Sequence, residues 1–363
     1  MKNKTFIAVV VITLVLIVLT ISLVTEKEQA QQAQDTSGQV FLPALAKDIN
    51  AVSVVEVKQG TDTATMERKD ETWRVNEQSG YPADFPKLRQ ILISLSDLKT
   101  IEAKTKKSEN YERLGVQEPD AGNNSKQVTI KDNEGTVLAS LIIGNGKPGA
   151  EGKASLYVRK SNDAQAWLVE GQVNLPFRTI DWLDKSIMDI GPNRIRTVSI
   201  TQPEGKKLVV YKENSSDSEY KIKDLADGKK LKSPGMINSI SGALSSLMLD
   251  DVVKAEDFEF TQQDTVTVRY ETFDGLVIDA KVMDKDDKTY VYFTPAFDAA
   301  LVQQPESEVS DPESAQNDLM QITTPAAAQS EAAQLSNKLQ PWVYAVPAFK
   351  SNHMKTSLED IVE

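Results

Sequence analysis

Apolar and polar residues alternate along much of this chain, in short runs that Gly, Asp and Lys interrupt. Such runs, for example INAVSVVEV at 49–57, TATMERK and TWRV, indicate antiparallel β-strands. The stretch at 81–103 differs, because its apolar residues recur at helical spacing. That helical stripe consists of Leu88, Ile91, Leu92, Leu95 and Leu98. Four further strands are predicted in QVTIKD, TVLASLIIG, ASLYVRK and AWLVEG, which gives an antiparallel sheet with one covering helix.

The same order of elements reappears from Ile195 onward. The segment IRTVSI is similar to INAVSV, and this alignment matches Val198 with Val52. The segments KLVVYK and EYKIK are predicted to form the next two strands. A second helix is predicted in SPGMINSISGALSSLMLDDVVKA, followed by strands in TVTVRY, GLVIDAKVM and TYVYFTP. A fixed order at similar spacing is typical of tandem duplication. The sequence therefore predicts an α+β fold of two repeated lobes, at residues 41–178 and 179–363.

A low-complexity tract at 303–338 interrupts the second lobe, since Gln, Ser, Ala, Glu and Pro make up 24 of its 36 residues. We expect this tract to be an insertion into a hairpin, because it is too polar to bury much surface. Its last part, AAQSEAAQLSNKL, could form an exposed helix. The segment PWVYAVP after it is then the delayed last strand, with Trp342 in the place of Trp167.

The N-terminus carries an uncharged apolar run from Phe6 to Val24, 19 residues without Pro or Gly. As a helix it would span about 28 Å, close to the hydrocarbon thickness of a bilayer. A cleaved signal peptide is disfavoured, since its apolar core would be shorter and an A-x-A-like site would follow. Lys2 and Lys4 precede the run, so the positive-inside rule places residues 1–5 in the cytoplasm. We expect a single-pass anchor in the cytoplasmic (inner) membrane, a polar tether at 25–40 and an extracytoplasmic or periplasmic remainder.

Composition narrows the function classes. The net charge of −12 argues against nucleic acid as a partner, because phosphate binding requires clustered Lys and Arg. The absence of cysteine excludes disulfides, thiol catalysis and thiolate metal sites.

Three motifs were considered for chemistry. The run Gly144–Gly149 fits G-x-G-x-x-G, but a strand follows it where a dinucleotide site needs a helix, so a hairpin connection is predicted. His353, the single histidine, lies in the polar run KSNHMK and is interpreted as a solvent-facing helix residue. The acidic run Asp284–Asp287 lacks calcium-loop spacing and is interpreted as a charged hairpin tip.

Four tryptophans, Trp73, Trp167, Trp182 and Trp342, could line a ligand cleft or pack in the cores, and core packing is favoured. No residue is assigned a catalytic, cofactor-binding or metal-binding role, and no cofactor is expected. The sequence does not indicate an oligomeric state.

Several phrases together resemble the bacterial family called "domain of unknown function 4340". They are GYPADFPKLRQILISLSDLKTIEAKT, YERLGV, LYVRK followed by AWLVEG, DWLDKSIMDI, and the closing WVYAVPAFK with LEDIV. The resemblance covers the chain from about residue 41 to its end. It implies a membrane-tethered extracytoplasmic protein whose genes often neighbour those of ABC-type transporter components, which makes transporter subunits candidate partners, and it carries over no site residues.

The predicted function is a non-enzymatic interaction module, an accessory or partner-binding subunit associated with an ABC-type transport system. One alternative is an extracytoplasmic receptor that binds a small molecule or a glycan between the two lobes. Another is an envelope hydrolase, for which the sequence offers no distinctive constellation.

Overall fold

The computed structural model of the protein describes residues 37–120, 122–123, 125–148, 153–226, 228–303 and 323–363. Two compact units divide the chain between Asp184 and Lys185. The predicted anchor at Phe6–Val24 lies outside the described residues, and within them no helix is long and apolar enough to cross a membrane.

The first unit is a nine-stranded antiparallel sheet with short helices. Its strands are β1 (Val52–Gln59), β2 (Asp62–Lys69), β3 (Thr72–Val75), β4 (Tyr81–Pro82), β5 (Lys99–Thr105), β6 (Lys126–Asp132), β7 (Val137–Pro148), β8 (Ala154–Lys160) and β9 (Ala166–Glu170). Its α-helices are α1 (Pro43–Asp48), α2 (Phe85–Ser96) and α3 (Tyr111–Leu114). The spatial order of the strands is β4-β3-β2-β1-β6-β7-β8-β9-β5.

The second unit contains an eight-stranded antiparallel sheet and a separate two-stranded one. Its strands are β10 (Ser186–Met188), β11 (Ile195–Thr201), β12 (Lys207–Tyr211), β13 (Lys221–Ile222), β14 (Leu247–Met248), β15 (Asp251–Lys254), β16 (Val266–Thr272), β17 (Leu276–Lys285), β18 (Lys288–Phe297) and β19 (Trp342–Val346). Its α-helices are α4 (Pro234–Ser241), α5 (Pro325–Leu339), α6 (Ala348–Met354) and α7 (Leu358–Ile361). The large sheet has the order β13-β12-β11-β16-β17-β18-β19-β15, and β10 pairs with β14.

A mixed α and β architecture with mostly antiparallel strands is therefore confirmed. Both large sheets share one order, in which the strand after the helical segment forms the far edge. These edge strands, β5 and β15, were missed by the sequence analysis, which extended each helix through them. Edge strands are half-exposed on both faces and so lack a clear alternation of apolar and polar residues. In β5, for example, only Thr100 is buried.

Helix α2 begins where the sequence predicts. Asp84 caps it by accepting a hydrogen bond from the Lys87 N–H at 3.0 Å, and Pro86 stands in the first turn, where no N–H is needed. Its core face buries Leu88, Ile91, Leu92 and Leu95, as predicted. Leu98 is also buried, but it follows the end of the helix.

The pairing registers show which residues correspond in the two sheets. A bulge follows Val52 in β1, and a bulge follows Ile195 in β11. Val52 therefore corresponds to Ile195, and the predicted match of Val52 with Val198 is wrong by three residues. The bulge changes which face a residue takes, so the alternating pattern alone could not fix this register.

The match of Trp342 with Trp167 is also wrong. Trp167 lies opposite Val158 on the neighbouring strand, and Tyr344 lies opposite Val291 at the corresponding place. Tyr344 thus corresponds to Trp167. Two residues of shift leave a side chain on the same face, and Trp342 and Tyr344 are both buried.

The last part of the low-complexity tract forms helix α5, which packs against β17 and β18. Ala328, Ala332 and Leu339 are buried on one face of this helix. The expectation of an exposed helix is therefore wrong for that face. In the first unit, the short helix α1 packs against β7, the strand that corresponds to β17.

A buried ionic cluster fixes α5 to the sheet. The Arg194 guanidinium, just before β11, donates from Nε to Asp274 Oδ2 at 2.7 Å and from Nη2 to Glu331 Oε2 at 2.6 Å. Asp274 lies in the turn between β16 and β17 and also accepts the Thr323 N–H at 3.0 Å. The cluster thus joins three segments that are distant in sequence.

Residues 303 and 323 are bound to neighbouring positions of that turn. The Gln303 N–H donates to the Phe273 carbonyl at 2.9 Å, and the Thr323 N–H donates to the side chain of Asp274. The two residues that flank positions 304–322 are therefore held at adjacent residues of the turn.

The segments NLPFRTIDWLDKSIMDI and VPAFKSNHMKTSLEDIV both contain a proline, an aromatic residue and then an amphipathic pattern, which predicts a short helix in each; only the second segment forms one. The segment after AWLVEG forms a 3-10 turn, Thr179–Trp182, and then strand β10, whereas the segment after β19 forms helices α6 and α7. The amphipathic pattern common to both segments therefore supports different structures.

Candidate functional site

A cleft of about 850 Å³ lies beside helix α2 in the first unit. Its volume is in the range of pockets that bind drug-sized ligands. The floor is apolar and includes Val52, Trp73 and Ile93, while the rim carries Arg68 and Arg89. Apolar walls with a few charged groups are typical of binding sites.

Helix α2 supplies one wall of this cleft. Phe85, Arg89 and Ile93 recur every fourth residue and so lie on one face of the helix. Leu92 lines the cleft as well as the core. Phe85 remains 49% exposed beside the cleft.

The start of α2 is fixed in position by residues far along the chain. The Asp84 N–H donates to the Trp182 carbonyl at 2.8 Å, and Lys87 Nζ donates to the Asp181 carbonyl at 2.7 Å. Lys87 Nζ also forms an ion pair with Asp84 Oδ2 at 2.7 Å. Because the helix start is held by both backbone and side chain, Phe85 is presented at a defined place.

The sheet supplies the opposite wall. Arg68 on β2 lies directly across from Trp73 on β3. A two-residue turn joins these strands, and its residues Asp70 and Glu71 both have positive φ, 49° and 64°, as a type I′ turn requires. Glu71 lines the cleft beside the two arginines.

Arg68 and Arg89 are exposed, and neither forms an ion pair or hydrogen bond within the part of the chain that the structure describes. By contrast, Arg159, Arg194 and Arg269 each bind a carboxylate there. An arginine presents five N–H donors that match the geometry of a carboxylate. The cleft can therefore accept an apolar group that is flanked by carboxylates.

The tryptophans are mainly core residues, as the sequence analysis favours. Trp182 and Trp342 are buried, and Trp167 packs edge-on against Phe41 with 6.2 Å between ring centroids. Trp73 is buried too, yet it also lines the cleft. Trp73 is therefore both a core residue and a residue that lines the cleft.

His353 lies on helix α6, which confirms the predicted helix, and its side chain is half-buried rather than fully exposed. Burial lowers the pKa of its imidazole, and the nearby charge of Lys350 lowers that pKa further. The neutral ring is favoured because this site disfavours a second positive charge.

The acidic run forms the turn between β17 and β18, where Asp286 and Asp287 have φ of 49° and 60°. The predicted hairpin tip is thus confirmed. Asp284 accepts hydrogen bonds from Lys355 Nζ at 2.7 Å. Within the described ranges, no three His, Cys, Asp or Glu side chains are grouped to hold a metal ion.

The glycine motif belongs to strand β7, which continues through Pro148 and pairs with β8. The predicted hairpin is confirmed, although Gly144 and Gly146 lie within the paired strand and Gly149 lies outside the described residues.

The model of a family described as "Domain of unknown function (DUF4340)" matches residues 73–271. The chain belongs to this family. The resemblance seen in the sequence is thereby confirmed. In this DUF4340 chain the match begins at Trp73, in the cleft, and ends at Glu271 in β16. No curated protein and no solved structure matches the chain.

Sequence reasoning missed the cleft of this DUF4340 protein, because Arg68 and Arg89 look like ordinary surface residues. One signal was present. Phe85, Arg89 and Ile93 form a second stripe on a helix whose core stripe is already complete. An exposed phenylalanine on such a stripe indicates a surface that binds something.

Proposed function

We propose that this protein is a non-enzymatic binding module whose cleft beside α2 holds an acidic, apolar segment of a partner protein. The observation that carries the proposal is the pair Arg68 and Arg89, which have no carboxylate partner in the described part of the chain and flank an apolar floor. Both guanidinium groups are therefore available to a carboxylate of a partner.

A protein segment suits this cleft for two reasons. Tryptophan and arginine, here Trp73 with Arg68 and Arg89, are the residue types that dominate binding energy at protein interfaces. The exposed ring of Phe85 extends the apolar floor to the surface, where a longer partner could continue. An apolar side chain would enter the cleft, and neighbouring carboxylates would bind the arginines.

The proposal includes a setting for the module. The apolar run at 6–24 supports a single membrane-spanning anchor with the bulk of the chain outside the cytoplasm. The shared strand order and the bulges after Val52 and Ile195 support descent of the two units from a tandem duplication. Association with an ABC-type transporter, as an accessory subunit, rests on the family resemblance alone.

Site-specific photocrosslinking tests the cleft in the full-length protein in its own membrane. A photoreactive phenylalanine analogue replaces Phe85, and a matched variant replaces Phe177, which is 65% exposed and belongs to the same unit. We expect position 85, and not position 177, to crosslink a defined protein. Mass spectrometry should map the crosslink to a segment with Asp or Glu next to an apolar residue.

Charge reversal completes the test. Arg68→Glu with Arg89→Glu should abolish the crosslink from position 85, while Lys131→Glu on the central strand β6, which does not line the cleft, should leave it unchanged. The same product from positions 85 and 177, a basic crosslinked segment, or a crosslink that survives the double reversal would each overturn the proposal. A transporter subunit as the product would support the proposed association, and any other protein would refute that association alone.

A further inference from the structure

A second cavity of the first unit, of about 380 Å³, lies where β6 begins and β7 bulges. Its walls are mainly polar and include Gln117, Ser125, Lys126, Asn145 and Asn174. Polar cavities of this size have room for a small, hydrogen-bonding molecule.

Lys126 is the cationic group of this cavity. Its Nζ donates to the Leu175 carbonyl at 2.8 Å, which uses one of its three N–H donors. It forms no ion pair with a carboxylate among the described residues. Burial lowers the pKa of the ammonium group, as expected for a partly desolvated charge without a compensating anion.

Gln117 adds an unused acceptor. Its Oε1 is buried and has no hydrogen-bond partner among the described residues. A buried carbonyl oxygen without a donor costs free energy, and such groups in native proteins are usually satisfied by water or a ligand. The residues that line the cavity therefore include a cation that lacks an anion and a buried acceptor that lacks a donor, both judged among the described residues.

The second unit shows that the fold does not require a lysine at this place. Adjacent pairings define a row across each sheet, which runs Lys126, Ile143, Val158, Trp167 in the first unit and Val266, Val282, Val291, Tyr344 in the second. Lys126 thus corresponds to Val266, which is buried. An apolar residue fills the same position in the second sheet, so packing of this sheet position does not itself require a lysine.

The glycine motif shapes the same cavity. A β-bulge between Ile143 and Gly146 turns Asn145 into the wall, where its Nδ2 donates to the Arg113 carbonyl at 3.2 Å. A side chain at Gly144 would collide with the Leu114 carbonyl, so glycine allows this close approach. Bulges often redirect side chains at functional sites.

We propose that this cavity binds a small carboxylate that also carries hydroxyl groups, such as a sugar acid. The carboxylate accepts hydrogen bonds from the two free N–H groups of Lys126, and a hydroxyl donates to Gln117 Oε1. This inference goes beyond the proposed function and does not depend on it, because it concerns a separate cavity and a different class of ligand. It places the small-molecule receptor role inside the first unit.

Titration calorimetry with the full-length protein in detergent tests the proposal with D-glucuronate and D-glucose. These probes share a sugar ring and differ in the carboxylate. Glucuronate should bind, and glucose should bind at least about tenfold more weakly, since hydrogen bonds to charged groups contribute about 1.5–3 kcal/mol. Equal binding of the two sugars, or no binding of glucuronate, would overturn the proposal.

Variants assign the binding to the cavity. Lys126→Met should weaken glucuronate binding by about tenfold or more, and Gln117→Leu by several-fold. Lys131→Met, the same change on the same strand but outside the cavity, should have no effect. A similar loss in both lysine variants would contradict the assignment.

Chemical labelling of the wild-type protein gives a readout that does not depend on a variant folding. An amine-reactive acylating reagent modifies lysines, and mass spectrometry quantifies each site. Glucuronate should reduce labelling of Lys126 several-fold and leave Lys131 unchanged, while glucose should protect neither. Unprotected Lys126 at saturating glucuronate would refute the proposal.

Discussion

Arg194 and Asp274 are joined by a 2.7 Å hydrogen bond between Nε and Oδ2, although 80 residues separate them in sequence. The side chains are only 7% and 1% exposed. The guanidinium is fully engaged, because Nη1 and Nη2 both donate to Glu331 of helix α5. A buried charge is tolerated when its hydrogen bonds are satisfied in this way. The cluster therefore links α5 to the turn between β16 and β17, in addition to the apolar face that α5 buries.

We expect Arg194→Met to destabilise the second unit by about 3–5 kcal/mol, because it leaves Asp274 buried without its cation. Urea unfolding of the full-length protein measures this loss. A double variant, Arg194→Met with Asp274→Leu, should recover much of it, since no unpaired buried charge remains. Lys206→Met, which removes an exposed ion pair with Glu359, is the control and should leave the midpoint unchanged. Equal effects of Arg194→Met and Lys206→Met would contradict the role of the cluster.

The second unit should become less stable in acid, in part because the Asp274 carboxylate is protonated. Burial alone would raise the pKa of its carboxyl, but hydrogen bonds from Arg194 and Thr272 and the charge of Arg194 outweigh burial and lower that pKa. The unfolded chain then binds the proton more tightly, so this stabilisation is complete above the ordinary pKa of Asp, near 4, and is lost as the pH falls through the lowered value. Unfolding free energies measured between about pH 2 and 5 should rise with pH less steeply in Asp274→Asn than in the wild type. Identical slopes would show that Asp274 does not contribute.

Two deletions should have opposite effects. Replacing residues 304–322 with a short Gly/Ser linker should leave the melting temperature unchanged or slightly raised, because residues 303 and 323 are bound to adjacent positions and a shorter loop costs less entropy to close. Extending the deletion through residue 338 should lower the melting temperature strongly. This deletion removes the buried Ala328 and Ala332 and the Glu331 carboxylate that binds Arg194. This corrects the interpretation of all of 303–338 as an insertion without a packing role. Differential scanning calorimetry of both deletion variants measures their melting temperatures. Equal melting temperatures would refute a stabilising role of α5.

Gly144→Ala should destabilise the first unit by about 1–3 kcal/mol or more. The new Cβ would lie 2.7 Å from Val116 Cγ1 and closer still to the Leu114 carbonyl oxygen, which belongs to the backbone and moves only with it. Gly146→Ala is a matched control two residues along the same strand, where the nearest atom would be 3.9 Å away. Urea unfolding should separate the two variants, and similar losses would show that the close approach is unimportant.

The sequence was a good guide wherever one face of an element is buried. The hairpin of β2 and β3 and the core stripe of α2 were predicted because alternation and helical spacing are local signals. The edge strands β5 and β15 give no such signal, since most residues of each strand are half-buried whichever face they take. The pairing register of β1 and β11 was also not predictable. The bulges after Val52 and Ile195 shift the alternation of buried and exposed residues, and composition does not reveal such a shift.

The sites were less predictable than the fold. Lys126 and Gln117 gain their significance only when β6, the loop after α3 and the segment near Leu175 come together. Arg68 and Trp73 are cross-strand neighbours, which a correct hairpin register would have shown. The unpaired state of Arg68 and Arg89 is a property of the folded surface, and no local pattern encodes it.

The strand order has a consequence for the timing of folding. Among the described residues, strand β15 pairs with β19 alone, so the far edge of the second sheet is joined only after Trp342–Val346 has left the ribosome. In the first sheet, β5 meets β9 as soon as Glu170 is available. Pairings that span a longer stretch of chain form more slowly. A nascent chain that stops before Trp342 would therefore carry a sheet with a missing interior strand, with Val252 left without the neighbour that covers it.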